Sequence, residues 1–229
     1  MQGKAGDARA IAFTADGARV AICTGATSID VFDTTTGVWL RVIGEDDLVW
    51  RTHQIRSSLS FSPTAISMLA IATKNAIHVW DIDSCEMISN IEGSSMIVIF
   101  SPNGRTIATA SAGGSRYVQL IDAESGEMWY RLVGHTGAVH TASWCPYDGR
   151  KLASGGQDGT CKVWDSSTGG LLRTLNVEAL IHSVVWGRDW VRDTQGAMAF
   201  AMGQHPRLGA GSRVLVFEAG VVRMILDCV

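Results

Sequence analysis

A chain of 229 residues with 46% apolar residues and a net charge of −3 can bury a large core and has no electrostatic pull toward nucleic acid. Fifteen of its nineteen basic residues are arginine, but they are dispersed, so direct nucleic-acid binding is not expected. No apolar run approaches the roughly 18 residues that span a bilayer, and residues 1–6 lack a signal-peptide core. Direct membrane insertion and secretion are therefore not expected. The five cysteines, Cys23, Cys85, Cys145, Cys161 and Cys228, are odd in number and form no Cys-x-x-Cys pair. In strands they read as small buried apolar residues, and their use fits a reducing compartment, the cytoplasm or the nucleus.

Residues 1–6 read as a polar lead-in. The first repeating unit covers about 7–44, with strands near 8–13, 18–23, 28–32 and 37–43. Its turn signals are Asp16-Gly17 and Thr34 to Gly37, and Phe32-Asp33 closes its third strand. Residues 45–52 are extra length, in which Trp50 could anchor a partner or fold back on its own unit. The second unit, about 53–93, carries His53, Thr73 and Trp80-Asp81, with a short Lys74-Asn75 hinge. The third, about 94–134, keeps Asn103-Gly104 and Ala123 to Gly126, with Ile121-Asp122 closing its third strand.

The fourth unit, about 135–177, is the most complete. Gly134-His135 precedes an apolar run ending Trp144-Cys145-Pro146, and Asp148-Gly149 marks a hairpin. Residues 151–154, the turn Gly155 to Gly159, the strand ending Trp164-Asp165 and the turn Ser166 to Gly169 follow. The fifth, about 178–226, is divergent, with long loops at 187–196 and 204–212 and Phe217-Glu218 at its third-strand landmark. The strand-ending aromatics Phe13, Phe61, Phe100, Trp144 and Trp186 recur at spacings of 48, 39, 44 and 42. Turns, aromatics and apolar–acid pairs thus share one period, and five repeats fill the chain.

The fourth unit resembles a WD repeat, one blade of a β-propeller, through Gly134-His135 and Trp164-Asp165. The resemblance implies a buried hydrogen-bonded chain of His135, Ser154, Asp158 and Trp164. It extends over nearly the whole chain and implies an all-β fold: a single propeller domain of about five four-stranded antiparallel blades. Propellers of this family usually have seven blades, one of them shared between the termini. Five units with no such shared blade imply an incomplete or open ring, whose exposed strand edges could pair with another chain.

No catalytic constellation stands out. His78 lies mid-strand, His-x-x-x-His and Cys-x-x-Cys ligand spacings are absent, and the Gly113-Gly114 and Gly155-Gly156 pairs, read as turn residues, lack the Lys-Ser/Thr of a phosphate cradle. No cofactor, metal site or catalytic residue is expected. Trp164-Asp165 and Trp80-Asp81 are not followed by the x-Arg of cullin-ligase receptors, and the Phe-Arg-Arg-Gly of phosphoinositide-binding propellers is absent. The resemblance therefore implies a non-enzymatic protein–protein interaction platform within a larger complex. An architectural subunit completed by a partner chain is the alternative, and a propeller enzyme a more distant one. The family's partner-facing places, at the start of the first strand of each repeat, fall on Arg9, Ser57, Met96, His140 and His182. The place before the buried acid falls on Gln157. His140 and His182 occupy matching places and could also share a ligand.

Overall fold

Short alternating apolar runs cut by Gly-containing turns favour antiparallel strands over helices. Among the described residues of the computed structural model, every regular element is a strand. The structure describes residues 8–24, 28–43, 55–93, 95–110, 114–147, 149–177, 179–187, 212–217 and 221–227. Trp50 and Asp148 lie outside them, as do most of the two long loops expected in the fifth repeat.

The first sheet is β1 (Ala8–Phe13), β2 (Arg19–Thr24), β3 (Ile29–Asp33) and β4 (Trp39–Ile43), paired in that order. The second repeats the order with β5 (Ile55–Phe61), β6 (Met68–Thr73), β7 (Ala76–Asp81) and β8 (Glu86–Glu92). The third comprises β9 (Ile97–Phe100), β10 (Thr106–Ala110), β11 (Tyr117–Asp122) and β12 (Met128–Val133). The fourth comprises β13 (Val139–Trp144), β14 (Lys151–Gly156), β15 (Thr160–Asp165) and β16 (Leu171–Asn176). These four match the expected four-stranded antiparallel repeats.

The fifth does not. Among the described residues it has three strands, β17 (Ile181–Gly187), β18 (Ser212–Phe217) and β19 (Val221–Asp227), ordered β17-β19-β18. β18 and β19 are antiparallel, as expected for the last two strands of a repeat, but β17 pairs with β19 in parallel. The segment expected to supply its second strand falls within 188–211, outside the described residues. The edge of β17 instead takes β19.

Two compact units divide the chain: residues 1–113 with 119–131, and residues 114–118 with 132–229. In the first unit, one core joins Ala21, Cys23, Ile29, Val31 and Ile43 to Leu59, Phe61, Leu69, Ile71 and Trp80. A second core joins the opposite side of the second sheet, Ala70, Ala72, Ile77 and Val79, to Val98, Phe100, Ile107 and Ile121. The second unit has a matching core of Ala153, Cys161, Val163 and Leu175 with Ile181, Val184 and Trp186. The rule is the same in each. Small residues on a second strand and branched residues on a third receive the first-strand apolar side chains of the next sheet.

That packing explains Gly155 and Gly156, which are the last two residues of β14 and not turn residues. A Cβ on Gly155 would stand 2.6 Å from Cγ2 of Ile181, and one on Gly156 would stand 2.2 Å from the Ala138 carbonyl oxygen. The pair makes room for close approach, the role of glycine in a strand interior.

Successive sheets are also stitched by side chain–backbone bonds between first strands. The Val98 N–H donates to Ser58 Oγ at 2.9 Å in the first unit, and Val184 N–H donates to Thr141 Oγ1 at 3.2 Å in the second. In the first unit, Arg41 donates to the Ile82 carbonyl and, at 2.8 Å, to that of Asp83, while Arg19 pairs with the Asp83 carboxylate at 2.6 Å.

Cys23 and Cys161 are buried free thiols, while Cys85 is exposed and free. Cys145 takes part in a disulfide, a departure from its reading as a small apolar residue.

Candidate functional site

Four side chains from separate elements meet inside the fourth sheet. Trp164 Nε1 donates to Ser154 Oγ at 2.8 Å, and Ser154 lies 2.8 Å from His135 Nε2. His135 Nδ1 lies 2.8 Å from Asp158 Oδ2. With Asp158 ionised, Nδ1 carries the ring proton and donates. Nε2 then accepts from the Ser154 hydroxyl, which in turn accepts from the indole. One neutral tautomer satisfies every member, as a buried network must.

The electrostatics agree with that tautomer. Burial pushes the His135 ring below its ordinary value, and this outweighs the hydrogen bond and charge of Asp158 that favour the cation. Burial by itself would raise Asp158. The Thr160 hydroxyl, the Thr136 N–H, His135 and the Thr160 N–H overcome it and hold the carboxyl well below the usual carboxylate range. Thr160 and Thr136 were not legible as members of the site. The signal for Thr160 was present: Asp158-Gly159-Thr160 is an Asx turn, with the carboxylate accepting from the N–H two residues on. Gly134 and Gly137 border the network, and a Cβ on Gly137 would stand 2.7 Å from the Asp158 nitrogen.

Register shows why the other sheets lack this chain. Trp164 and Ser154 lie on β15 and β14, where Leu152 pairs with Trp164. In the second sheet Leu69 pairs with Trp80, so Ile71, and not Thr73, stands in Ser154's place. Thr73 instead closes the β6–β7 turn, exchanging hydrogen bonds with the backbone of Ala76 at 2.6 and 3.0 Å. His53 lies outside the described residues. In the third sheet Thr109 stands in Ser154's place and meets Ser95 at 2.5 Å, but Ile121 replaces the tryptophan. The first sheet has Ile22 and Phe32 in the two places.

The acid of each apolar–acid landmark has a common local task. Asp33 Oδ1 accepts from the N–H groups of Thr35 and Thr36, Asp81 Oδ1 from Asp83 and Ser84, and Asp122 Oδ1 from Glu124 and Ser125. Asp165 Oδ1 accepts from the Ser167 N–H and hydroxyl. Gly37, Gly126 and Gly169 end three of these turns at φ of 69°, 74° and 70°, a conformation that costs glycine little. The hydrogen bonds, led by the Thr36, Ser125 and Ser167 donors, keep Asp33, Asp122 and Asp165 below the usual carboxylate range.

Of the residues marked as partner-facing, Arg9, Met96, His140, Gln157 and His182 are all exposed. Ser57 lies on β5. In the second unit the His140 and His182 rings stack, with centroids 6.3 Å apart and planes inclined by 22°. No group of three or more His, Cys, Asp or Glu side chains among the described residues is arranged to hold a metal ion. Burial pushes the Cys23 thiol up to about 11 and the Cys161 thiol up to about 12, so neither is a ready nucleophile. His78 is fully buried on β7.

Four-stranded antiparallel sheets with a His–Ser–Asp–Trp network and acid-capped turns are blades of the β-propeller class. Residues 126–165 match the family model described as WD domain, G-beta repeat. That stretch of the chain is a WD repeat. The chain is 24% identical over 180 residues to the WD repeat-containing protein slp1 of Schizosaccharomyces pombe, a match covering 75% of this chain and 34% of that protein. It is 34% identical over 96 residues to the small ribosomal subunit protein RACK1 of Neurospora crassa, covering 41% of this chain and 30% of that one. A chain in the crystal structure of the mitotic checkpoint complex superposes with a TM-score of 0.64 and 21% identity, covering 74% of this chain and 51% of that one. A chain of Kuenenia stuttgartiensis hydrazine synthase superposes with a TM-score of 0.63 and 17% identity, covering 73% and 48%. The two superpositions share the fold alone. The matches to the two curated relatives span about a third of their length.

Proposed function

We propose that the protein is a non-enzymatic platform that binds other proteins as a subunit of a larger complex. The observation that carries this reading is the contrast within the second unit. The polar groups of the His135–Asp158 network are bonded to one another and committed to the fold. The first-strand residues His140 and His182 stand stacked and exposed on the neighbouring strands β13 and β17. Rigid blades thus present exposed side chains outside the buried network, the arrangement in which binding resides on loops and strand ends. Relatives named as a ribosomal subunit protein and a fold match from a checkpoint complex support membership of an assembly. A cytoplasmic or nuclear setting fits such relatives. The match to hydrazine synthase keeps fold from deciding the matter. The non-enzymatic reading rests on the WD-repeat relatives.

Within this reading, partners contact Arg9, Ser57 and Met96 in the first unit and His140, Gln157 and His182 in the second. Affinity purification with mass spectrometry tests it, comparing the native chain with Arg9→Glu and His140→Glu. Specific proteins retained by the native chain and lost from these soluble, folded variants support the platform. Identical retained sets overturn the assignment of these positions.

A further inference from the structure

In the second unit, two neighbouring first strands each carry one residue that strand pairing skips. In β13, Val139 pairs with Gly156 and Thr141 with Gly155, which leaves His140 over as a bulge. In β17, Ile181 pairs with Val222 and Ser183 with Arg223, which leaves His182 over in the same way. A bulge takes its extra side chain out of the strand's alternation, which is how bulges re-aim residues beside functional sites. β1 has the same irregularity between Ala8 and Ala10, with Arg9 as the extra residue. The second unit differs in placing an imidazole at that position on both strands.

The two rings lie side by side, with centroids 6.3 Å apart and planes inclined by 22°. The strands beneath them are tied together. Val184 N–H donates to Thr141 Oγ1 at 3.2 Å, and Trp186 Nε1 donates to the Ser143 carbonyl at 2.8 Å. The spacing of the pair is therefore set by the sheets that carry it. Both nitrogens of His135 are bonded within the fold, whereas the His140 and His182 rings have no partner but each other among the described residues. Each neutral ring thus keeps a nitrogen lone pair for a ligand. The other described histidines, His78 and His135, are buried.

We infer that His140 and His182 form a two-histidine site for a divalent transition-metal ion of the zinc type. Donor chemistry selects the class. Imidazole suits zinc, copper and nickel, whereas calcium and magnesium take oxygen ligands. Geometry allows one shared ion. A metal about 2.0–2.1 Å from one nitrogen of each ring puts the ring centres roughly 5–6 Å apart. A small rotation of the exposed rings closes the 6.3 Å separation to that range. No third His, Cys, Asp or Glu among the described residues joins them. Two places of a tetrahedral ion therefore stay open to water or to a side chain of a bound protein. Structural zinc sites have four protein ligands and help to hold the fold. With two, the affinity is micromolar, the binding reversible and the fold independent of the metal.

Isothermal titration calorimetry of the full chain with zinc chloride, in a neutral non-chelating buffer, tests this. One ion per chain is expected. His140→Ala and His182→Ala each raise the dissociation constant by at least about tenfold, the loss that even an outer-shell change costs a metal site. Both replace exposed side chains, so their melting temperatures without metal match that of the native chain. Cys85→Ser, which removes the exposed free thiol, leaves zinc binding unchanged. In the native chain the ring proton signals of His140 and His182, assigned by their loss from the variants, shift together as zinc is added and return with a chelator. No binding at millimolar zinc, binding indifferent to either histidine, or binding lost with Cys85→Ser overturns the proposal. So do two ions per chain with one lost from each histidine variant, because the rings then act separately. Zinc binding is read on the chain alone, without any retained protein, so this site and the platform reading can fail independently.

Discussion

The indole of Trp164 donates to Ser154 at 2.8 Å, and none of the other four-stranded sheets can make the same bond. Ser154's place is taken by Ile22 in the first sheet and Ile71 in the second, while the third has Thr109 there but Ile121 in place of the tryptophan. The polar network is thus a local device of one blade, and its neighbours are held by apolar packing and turn chemistry.

The network predicts an ordering of losses. Ser154→Ala leaves the indole N–H and His135 Nε2 without their shared partner and costs about 2–3 kcal/mol. Trp164→Phe keeps an aromatic ring and the Ser154–His135 bond but loses the indole N–H and part of its bulk at a buried site, and costs about 1–2 kcal/mol. Asp158→Ala falls with Ser154→Ala, at about 1–3 kcal/mol, because it strips His135, Thr136 and Thr160 of an acceptor. Urea unfolding checks the order; equal midpoints for Ser154→Ala and Trp164→Phe contradict it.

Acid should weaken the fold in two steps. The folded His135 has its proton affinity lowered from 6.5, so the unfolded chain binds a proton first. Its contribution is complete above about pH 6.5 and is lost as pH falls below it. Asp158 is likewise lowered from 3.8, so its contribution is lost as pH falls through and below the ordinary carboxylate range. Both act in the same direction, with stability rising with pH. Melting temperatures of the native chain and His135→Asn, compared between pH 7.5 and 5, isolate the first step. The difference between the two proteins should narrow toward acid. A difference that widens toward acid would mean that the ring is charged in the folded state.

The glycine pair predicts a contrast between neighbours. Gly156→Ala drives a Cβ against the backbone carbonyl of Ala138, which cannot move without breaking β13 from β14. Gly155→Ala meets the side chains of Ile181 and Val184, which can shift. Both overpack the blade by on the order of 1–3 kcal/mol, with Gly156→Ala the larger. Thermal melts settle the order.

The turn acids predict tolerance to one substitution and not to another. Asp122→Asn retains an acceptor oxygen for the N–H groups of Glu124 and Ser125 and should be nearly silent in a thermal melt. Asp122→Ala loses both bonds and the Ser125 hydroxyl, and should cost about 0.5–1.5 kcal/mol. Equal melting shifts for the two would remove the capping role.

Much of this fold was legible because its landmarks are local. The apolar–acid pairs at 32–33, 80–81, 121–122 and 164–165 close third strands and cap the turns that follow, so four sheets could be placed nearly to the residue. The four network residues were legible because blade four carries all of them at the family spacing. What failed depended on register or on long-range packing. Thr73 stands with His53 and Trp80-Asp81 among the landmarks of the second repeat, but strand pairing puts it two residues beyond Ser154's place. Gly155 and Gly156 looked like turn residues because the need for small side chains arises from Ile181 and Ala138, neither adjacent in sequence. The parallel pairing of β17 with β19 joins segments about forty residues apart, and no local pattern announces it.

The central claim is that blade rims, and not the buried network, recognise other proteins. Hydrogen–deuterium exchange on a purified complex of the chain with a retained protein tests it most directly. Slower exchange is predicted at 138–141 and 181–183, around His140 and His182, with the core amides of β14 and β15 unchanged. Protection confined to the outer strands β12 and β16, with none at His140 and His182, would contradict it.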